Sequence, residues 1–223
     1  SPVILQKMTD AIAHRGPDSE GQWIEENVGL GHRRLAIIDL SPAGHQPMIT
    51  PDNRYVLSYN GEIYNFRELR TELEASGYQF RSHTDSEVVL NALAKWGVKA
   101  LNRFNGMFAL AFWDRKEKRL LLARDRYGIK PLYYSKNSSG IFFASEIKAL
   151  SPFPVDFSFS RDDILEVINF GYTHEPNSGF KHIKTVQPGY CVTFDAMDQH
   201  SKYIGFEKCD SSFNKESISL AIN

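Results

Sequence analysis

Cysteine is nearly absent from this chain of 223 residues, with Cys191 and Cys209 the only two. A polar stretch separates them, with neither metal-ligand spacing nor a second pair to complete a zinc site. That argues against a disulfide scaffold or a zinc module, and both are read as reduced thiols of a cytoplasmic protein. No apolar run approaches the roughly 20 residues needed to cross a bilayer, and no basic stretch leads into an apolar one at the start. Neither a membrane span nor a secretory leader is therefore expected. Neither sign of charge prevails, since 26 Lys and Arg face 27 Asp and Glu for a net charge of -1. This leaves no electrostatic case for nucleic acid or an anionic membrane as partner, and a small-molecule substrate is the default. Internal repeats, low-complexity tracts and long charge blocks are also lacking, so nothing divides residues 1 to about 200 into two domains.

What is present suits a single folded unit. With 42% hydrophobic and 13% aromatic residues, the chain can bury a substantial core. Ser1 and Pro2 read as an N-cap and first helical position, and Leu5, Met8, Ala11 and Ile12 recur at helical spacing up to about His14. Arg15-Gly16-Pro17-Asp18 breaks that helix. Strand-like alternation follows around Trp23, over 29–39 and over 55–59. Helices are expected over 66–76, ending at Gly77, and after the capping-box pattern Thr84-Asp85-Ser86-Glu87, ending at Gly97. From Met107 the pattern turns to short strands over 107–113, 119–123, 132–135 and 141–144, read as an antiparallel sheet region. Ser160 caps a further helix holding Ile164, Leu165 and Ile168, and 189–194 reads as a last strand. Strand groups mixed with helices imply a layered α+β fold.

Three places could carry chemistry, and each has a plainer reading beside it. Asn60-Gly61 between apolar residues is the strongest short hairpin signal. Yet Asn65 with Glu68 forms another cap-like start, leaving only Glu62, Ile63 and Tyr64 as a returning strand. The alternative is an oxyanion site, in which an amide side chain and a glycine N–H aim at one developing negative charge. Arg34 could hold a carboxylate through two parallel hydrogen bonds, or could be a solvent-facing strand charge. Asp85, in a first helical turn where N–H groups and the dipole favour its ionised form, could receive an ammonium or belong to the capping pattern. Together these groups would suit an α-amino acid with a side-chain carbonyl, such as glutamine.

Several segments, in order, then carry a resemblance. They are His14-Arg15-Gly16-Pro17-Asp18, His32-Arg33-Arg34-Leu35-Ala36-Ile37-Ile38-Asp39, Tyr59-Asn60-Gly61-Glu62-Ile63-Tyr64-Asn65 and Thr84-Asp85-Ser86-Glu87. Arg124-Asp125-Arg126-Tyr127-Gly128-Ile129-Lys130-Pro131-Leu132-Tyr133-Tyr134 and Ala144-Ser145-Glu146 follow. The chain resembles the class II glutamine amidotransferases, specifically the asparagine-synthetase branch, to which the Tyr59-to-Asn65 segment points. The last two segments are similar to those of amidophosphoribosyltransferases as well, and the stretch from Arg124 reads as a structural turn forming a wall near the pocket. The resemblance implies the N-terminal-nucleophile hydrolase fold, a four-layer αββα sandwich of two antiparallel sheets between helices. It implies that Arg34 binds the glutamine α-carboxylate, Asp85 the α-amino group, and Asn60 with Gly61 the oxyanion, with Glu62 lining the pocket.

Residues 1–206 are then a glutaminase domain lacking its N-terminal strand, and 207–223 a linker entering a synthetase domain. The implied partners are L-glutamine, a C-terminal synthetase domain and a second copy in a homodimer. No metal or cofactor is expected in this domain, whereas ATP and Mg would serve the synthetase domain. The family's mature chain begins with a cysteine, then a glycine and an apolar strand, upstream of the helix that opens this sequence. Ser1, Cys191 and Cys209 are not placed to replace that cysteine, so the sequence as it stands is expected to turn over little glutamine. Two other readings stay open: amidation of an acceptor other than aspartate, and a non-catalytic glutamine-sensing or interaction domain.

Overall fold

The computed structural model describes residues 1–36, 41–196 and 201–206. The end of the strand expected over 29–39 and the whole of 207–223 lie outside them. The elements in chain order are α1 (Pro2–Ala11), β1 (Ser19–Glu25), β2 (Val28–Arg34), β3 (Met48–Ile49), β4 (Tyr55–Ile63), α2 (Phe66–Ala75) and α3 (Asp85–Trp96). There follow α4 (Ala100–Arg103), β5 (Gly106–Asp114), β6 (Arg119–Arg124), β7 (Tyr133–Asn137), β8 (Gly140–Ala144), α5 (Arg161–Phe170), β9 (Lys184–Thr185), β10 (Tyr190–Asp195) and β11 (Ser201–Gly205).

Among the described residues, six strands form one antiparallel sheet in the order β11-β10-β6-β5-β4-β3. Its central strands β5 and β6 are apolar on both faces because both faces are covered there. On one face Leu57, Tyr59, Ile63, Phe108, Leu110 and Phe112 pack with Leu69, Leu73, Val88 and Leu93 of α2 and α3. On the other, Val56, Ala109, Ala111, Trp113, Leu122 and Val192 meet Leu30 of β2, Leu132 and, from β7 and β8, Tyr134, Ile141 and Phe143. The second strand layer comes in two pieces, the hairpin β1-β2 and the three strands β8-β7-β9. Outside it lies α1, which sets Met8, Ala11 and Ile12 against Phe142, Ala144 and Leu150. The layers are thus helix, sheet, sheet, helix, the expected αββα order.

Helix ends follow the sequence signals in part. Thr84 Oγ1 accepts from the Glu87 N–H and Ser160 Oγ from the Asp163 N–H, as expected. Gly77 and Gly97 have φ of +91° and +58°, values that end helices cheaply only with glycine. Asn65, in contrast, does not cap α2 with its side chain. Its amide instead ties the α4 exit, donating to the Arg103 carbonyl and accepting from the Asn105 N–H. The Glu87 carboxylate likewise turns from the capping box to the N–H groups of Arg81 and Ser82.

The segment from Arg124 forms a turn built around a fully buried Asp125. Its carboxylate accepts from the N–H groups of Phe108, Tyr127, Ile129 and Lys130 at 3.0–3.2 Å. Arg124 closes the turn from the other side, donating to the carbonyls of Lys130, Gly128 and Val186. Removing the carboxylate would leave four N–H donors without their acceptor, the Phe108 N–H in a fully buried bond and the other three partly buried. Asp125→Ala should therefore cost on the order of 3 kcal/mol or more. Urea unfolding with an unchanged slope would measure it, and a loss under about 1 kcal/mol would show that the carboxylate does not hold the turn.

Candidate active site

Between the two pieces of the second layer lies a cavity of about 890 Å³, bounded by β2 on one side and β8 on the other, with α1 and strands β4 and β5 among its walls. Arg34, Asn60, Gly61, Glu62 and Asp85 all line it. The structure therefore brings the five sequence-derived candidates to one site, by three different local rules.

The first rule is alternation along β2. Val28 and Leu30 point into the inter-sheet core, so His32 and Arg34 follow on that face. Gly31 and Arg33 face α1. A Cβ on Gly31 would lie 2.6 Å from Thr9 Cγ2, and Arg33 donates to the Thr9 carbonyl and pairs with Asp10 and Glu20. Arg33 is thus tied into the frame, whereas Arg34 reaches the cavity and donates to the Ser41 carbonyl. A Cβ on buried Gly44 would fall 2.3 Å from Arg34 Nη2 and 3.0 Å from Thr84 Cγ2, which puts the guanidinium within about 5 Å of the residue that caps α3. The main chain of β2 is clamped at the same point. The Asp18 N–H donates to the Arg34 carbonyl, the Ala36 N–H donates to the Asp18 carboxylate, and Gly16 lies too close to Arg33 to carry a side chain.

The second rule concerns β4, which runs straight through Asn60 and Gly61, paired with β5 from Tyr55 to Ile63. The hairpin reading is thereby overturned. Its even residues Val56, Ser58, Asn60 and Glu62 share the face toward the second layer, where the last three make a polar stripe in the cavity. Gly61 lies opposite Phe108. Phe108 commits both its N–H and its carbonyl to Asp125, so Gly61 and Phe108 form a non-hydrogen-bonded pair and the Gly61 N–H points to the other edge of β4. Its neighbours on that edge are engaged. Gln46 accepts from the Tyr59 N–H and donates to the Tyr59 carbonyl, and the Ile63 N–H donates to Asp85. The glycine is compelled, because a Cβ there would lie 2.3 Å from the Met107 carbonyl oxygen.

The third rule is the start of α3. Asp85 Oδ2 accepts from the Tyr59 hydroxyl at 2.7 Å and from the Ile63 N–H at 3.0 Å, and the residue is buried. Burial pushes its carboxyl above the ordinary aspartate value, outweighing the hydrogen bonds from Tyr59, Ile63 and Ser86 that pull it down. This corrects the expectation that the helix start would favour the ionised form on balance, because a desolvated carboxylate forfeits more than a few donors return.

His32, Ser58, Gln46 and Thr84 also line the cavity. Of these, His32 was foreshadowed by its place two residues before Arg34. Its Nδ1 lies 3.3 Å from Ser58 Oγ, and burial, with the charges of His45 and Arg34, pushes the imidazole down to about 4. Cys191 is buried on the opposite face of the six-stranded sheet, among the α2 and α3 side chains. Ser1 lines the other end of the cavity. Leu5 packs on Gly29 and Arg33 reaches Asp10, so α1 runs along β2 and Ser1 lies roughly 20 Å of strand from Arg34.

With that geometry in place, comparison with known proteins is decisive. A family model described as a glutamine amidotransferase domain matches residues 2–204. The chain belongs to that family. This amidotransferase domain is 40% identical over 194 residues to asparagine synthetase [glutamine-hydrolyzing] 3 of Bacillus subtilis (strain 168), covering 85% of the chain and 31% of that relative. It is 34% identical over 201 residues to amidase chry2 of Gibberella zeae, covering 88% of the chain and 29% of that protein. The domain thus spans about 30% of the length of these curated relatives. In fold it matches the glutamine phosphoribosylpyrophosphate (PRPP) amidotransferase from B. subtilis complexed with ADP and GMP, with a TM-score of 0.68 at 19% identity over 96% of this chain and 47% of that one. The domain is a class II glutamine amidotransferase of the asparagine-synthetase branch, with the N-terminal-nucleophile fold. No helix among its described residues is long and apolar enough to cross a membrane.

The depressed His32 value has a definite sign. The unfolded chain takes up this proton near 6.5 and the folded chain only near 4. Folded stability from this group is whole above pH 6.5 and is lost as pH falls toward 4. His32→Gln should flatten the decline in unfolding free energy across that window, and wild-type and variant profiles that run parallel would contradict the assignment.

Proposed function

We propose that the cavity binds L-glutamine and that the parent polypeptide hydrolyses its side-chain amide to glutamate and ammonia for an ATP-dependent, asparagine-synthetase-like amidation. The observation that carries this reading is the convergence, on one cavity, of the Arg34 guanidinium, the Asp85 carboxylate and the outward edge of β4 at Gly61. Arg34 receives the α-carboxylate as a planar, bidentate donor. Asp85 receives the α-ammonium, whose charge favours the ionised carboxylate that burial alone disfavours. The amide carbonyl then reaches β4, where the Asn60 side-chain amide and the Gly61 N–H donate to the developing oxyanion, and Glu62 lines the adjoining wall.

The nucleophile in this reading is an N-terminal cysteine on a segment that precedes Ser1. A bound glutamine fills little of an 890 Å³ cavity, and the remaining space between β2 and β8 suits an extended apolar strand that ends near Asn60. The cysteine's own α-amine, with an unperturbed pKa of about 7.7–8.0, takes the thiol proton as sulfur attacks the amide carbon. The carbon–nitrogen bond breaks, the proton leaves with ammonia, and water hydrolyses the thioester to glutamate. ATP and Mg belong to the synthetase domain that receives the ammonia, with aspartate as the favoured acceptor.

A glutaminase assay on the polypeptide extended to its N-terminal cysteine tests the reading. Arg34→Ala should raise KM for glutamine and lower kcat/KM on the order of 100-fold with a smaller change in kcat. Asn60→Ala should lower kcat by about 100- to 1000-fold with KM little changed. Substitution of Gly61 is less informative, because any Cβ strikes β5. Unchanged kinetics in both variants, or an extended polypeptide with no cysteine ahead of the helix, would overturn the reading in favour of a sensing or interaction role.

A further inference from the structure

The edge of β4 nearest β3 is closed unevenly. Strand β3 pairs with it in antiparallel register, Met48 opposite Leu57 and Ile49 opposite Val56. Carried forward, that register sets Gln46 opposite Tyr59 and Gly44 opposite Gly61. The main-chain ladder stops before either pair forms. The Gln46 carbonyl turns toward β1, 2.1 Å from where a Cβ on Gly21 would stand. Pro42–Gly44 winds into a 3-10 turn, in which the Gly44 N–H donates to the Ser41 carbonyl.

The Gln46 side chain makes the two bonds that its main chain gives up. Oε1 accepts from the Tyr59 N–H at 2.7 Å and Nε2 donates to the Tyr59 carbonyl at 2.9 Å, both in buried surroundings. A primary amide carries an acceptor oxygen and two N–H donors, so it can replace a peptide unit in a ladder and keep one donor in hand. Nε2 also lies 3.4 Å from Ser86 Oγ, beside Asp85. Tyr59 is thereby held at both ends, because its hydroxyl donates to Asp85 at 2.7 Å. A main-chain pair at Gln46 would have carried β3 on toward the Gly61 N–H. The side-chain substitute ends the ladder short of it, and Gly44, the residue due opposite Gly61, lies against the Arg34 guanidinium instead.

We propose that Gln46 is a positioning residue, whose side-chain amide clamps β4 at Tyr59, leaves the Gly61 N–H to the substrate, and so sets the oxyanion donors in line with Asp85 and Arg34. The inference rests on the glutamine site given under Proposed function, in which Gln46 touches no substrate atom. Without the clamp the strand edge is held only on the β5 side at this point, and the Gly61 N–H drifts from the line of the amide oxygen. A misplacement of about 1 Å is worth on the order of 100-fold in rate. Arg34 keeps an anchor of its own, the Asp18 N–H on its carbonyl, so the loss falls on turnover rather than on binding.

Glutamine hydrolysis by the cysteine-extended polypeptide tests it, with wild type compared to Gln46→Met, which keeps the length and deletes both bonds, and to Gln46→Glu. Gln46→Met should lower kcat by roughly 10- to 100-fold, with KM within about threefold of wild type. In Gln46→Glu an ionised carboxylate opposes the Tyr59 carbonyl, whereas the protonated acid again offers one donor and one acceptor. Burial raises the introduced carboxyl, so its kcat relative to wild type should climb about tenfold between about pH 8.5 and about pH 6. Taking the ratio cancels titrations common to both enzymes. In the same samples the Tyr59 amide should exchange with deuterium about tenfold faster in Gln46→Met, with Leu57 unchanged. A kcat within twofold of wild type in Gln46→Met, a loss confined to KM, a pH-independent ratio in Gln46→Glu, or equal exchange at Tyr59 would each overturn the proposal. Should Gln46→Met fail to fold, the Gln46→Glu ratio decides it. A wild type that does not hydrolyse glutamine defeats the glutaminase reading alone, and exchange at Tyr59 then decides the clamp.

Discussion

The closeness of β4 to β5 at Gly61 is the constraint from which the site follows. With a Cβ position 2.3 Å from the Met107 carbonyl oxygen, the two backbones approach as only glycine allows, and β4 stays straight as far as Ile63. Asp125 completes the constraint from the far side of β5. By taking both main-chain groups of Phe108 it sets the hydrogen-bond phase of that strand, and the phase decides that Gly61 offers its N–H to the open edge of β4 rather than to the sheet. The continued strand also places the Ile63 N–H and the Tyr59 hydroxyl on Asp85. A turn at Asn60-Gly61 would have dispersed all of these groups.

Frame and site are made by different residues that sit side by side in the same motifs. Arg33 binds α1 and Arg34 faces the cavity; Asp125 and Arg124 build the turn, while Lys130 and Leu132 of that segment line the cavity wall. Glu146 joins two distant motifs by pairing with His14, Arg15 and Lys148. Burial opposes its charge, yet the hydrogen bonds from Lys148, Arg15 and His14 prevail and hold its carboxyl at about 2. Neither Gly16 nor Gly44 has a positive φ that would call for glycine. They let Arg33 and the Arg34 guanidinium come close, so their role is steric.

Much of the fold was legible because its signals are local. Thr84 and Ser160 cap helices through their own hydroxyls, Gly77 and Gly97 end helices at positive φ, and the apolar run of β5 is what a strand covered on both faces requires. The site residues were nameable from the family motifs, and periodicity on β2 separates Arg34 from Arg33. The rest depended on contacts distant in sequence. Asn60-Gly61 is a turn by local rule and a strand by virtue of Phe108, 47 positions on. Asn65 resembles a cap and serves Arg103 and Asn105 instead. Gln46 carries no strand or helix signal, yet its side chain satisfies both main-chain groups of Tyr59. The direction in which burial moves Asp85 could not be read from a helix start, since it depends on the walls around it.

The account turns on Arg34 and Asp85 holding the two ends of one zwitterion while the amide reaches β4. A crystal structure of the cysteine-extended polypeptide, with that cysteine replaced by alanine and L-glutamine bound, measures this directly. The α-carboxylate should lie about 2.7–3.2 Å from the Arg34 guanidinium, the α-nitrogen at the same range from Asp85, and the amide oxygen against the Gly61 N–H. Glutamine bound with its α-carboxylate elsewhere, or with its amide turned away from β4, would contradict it.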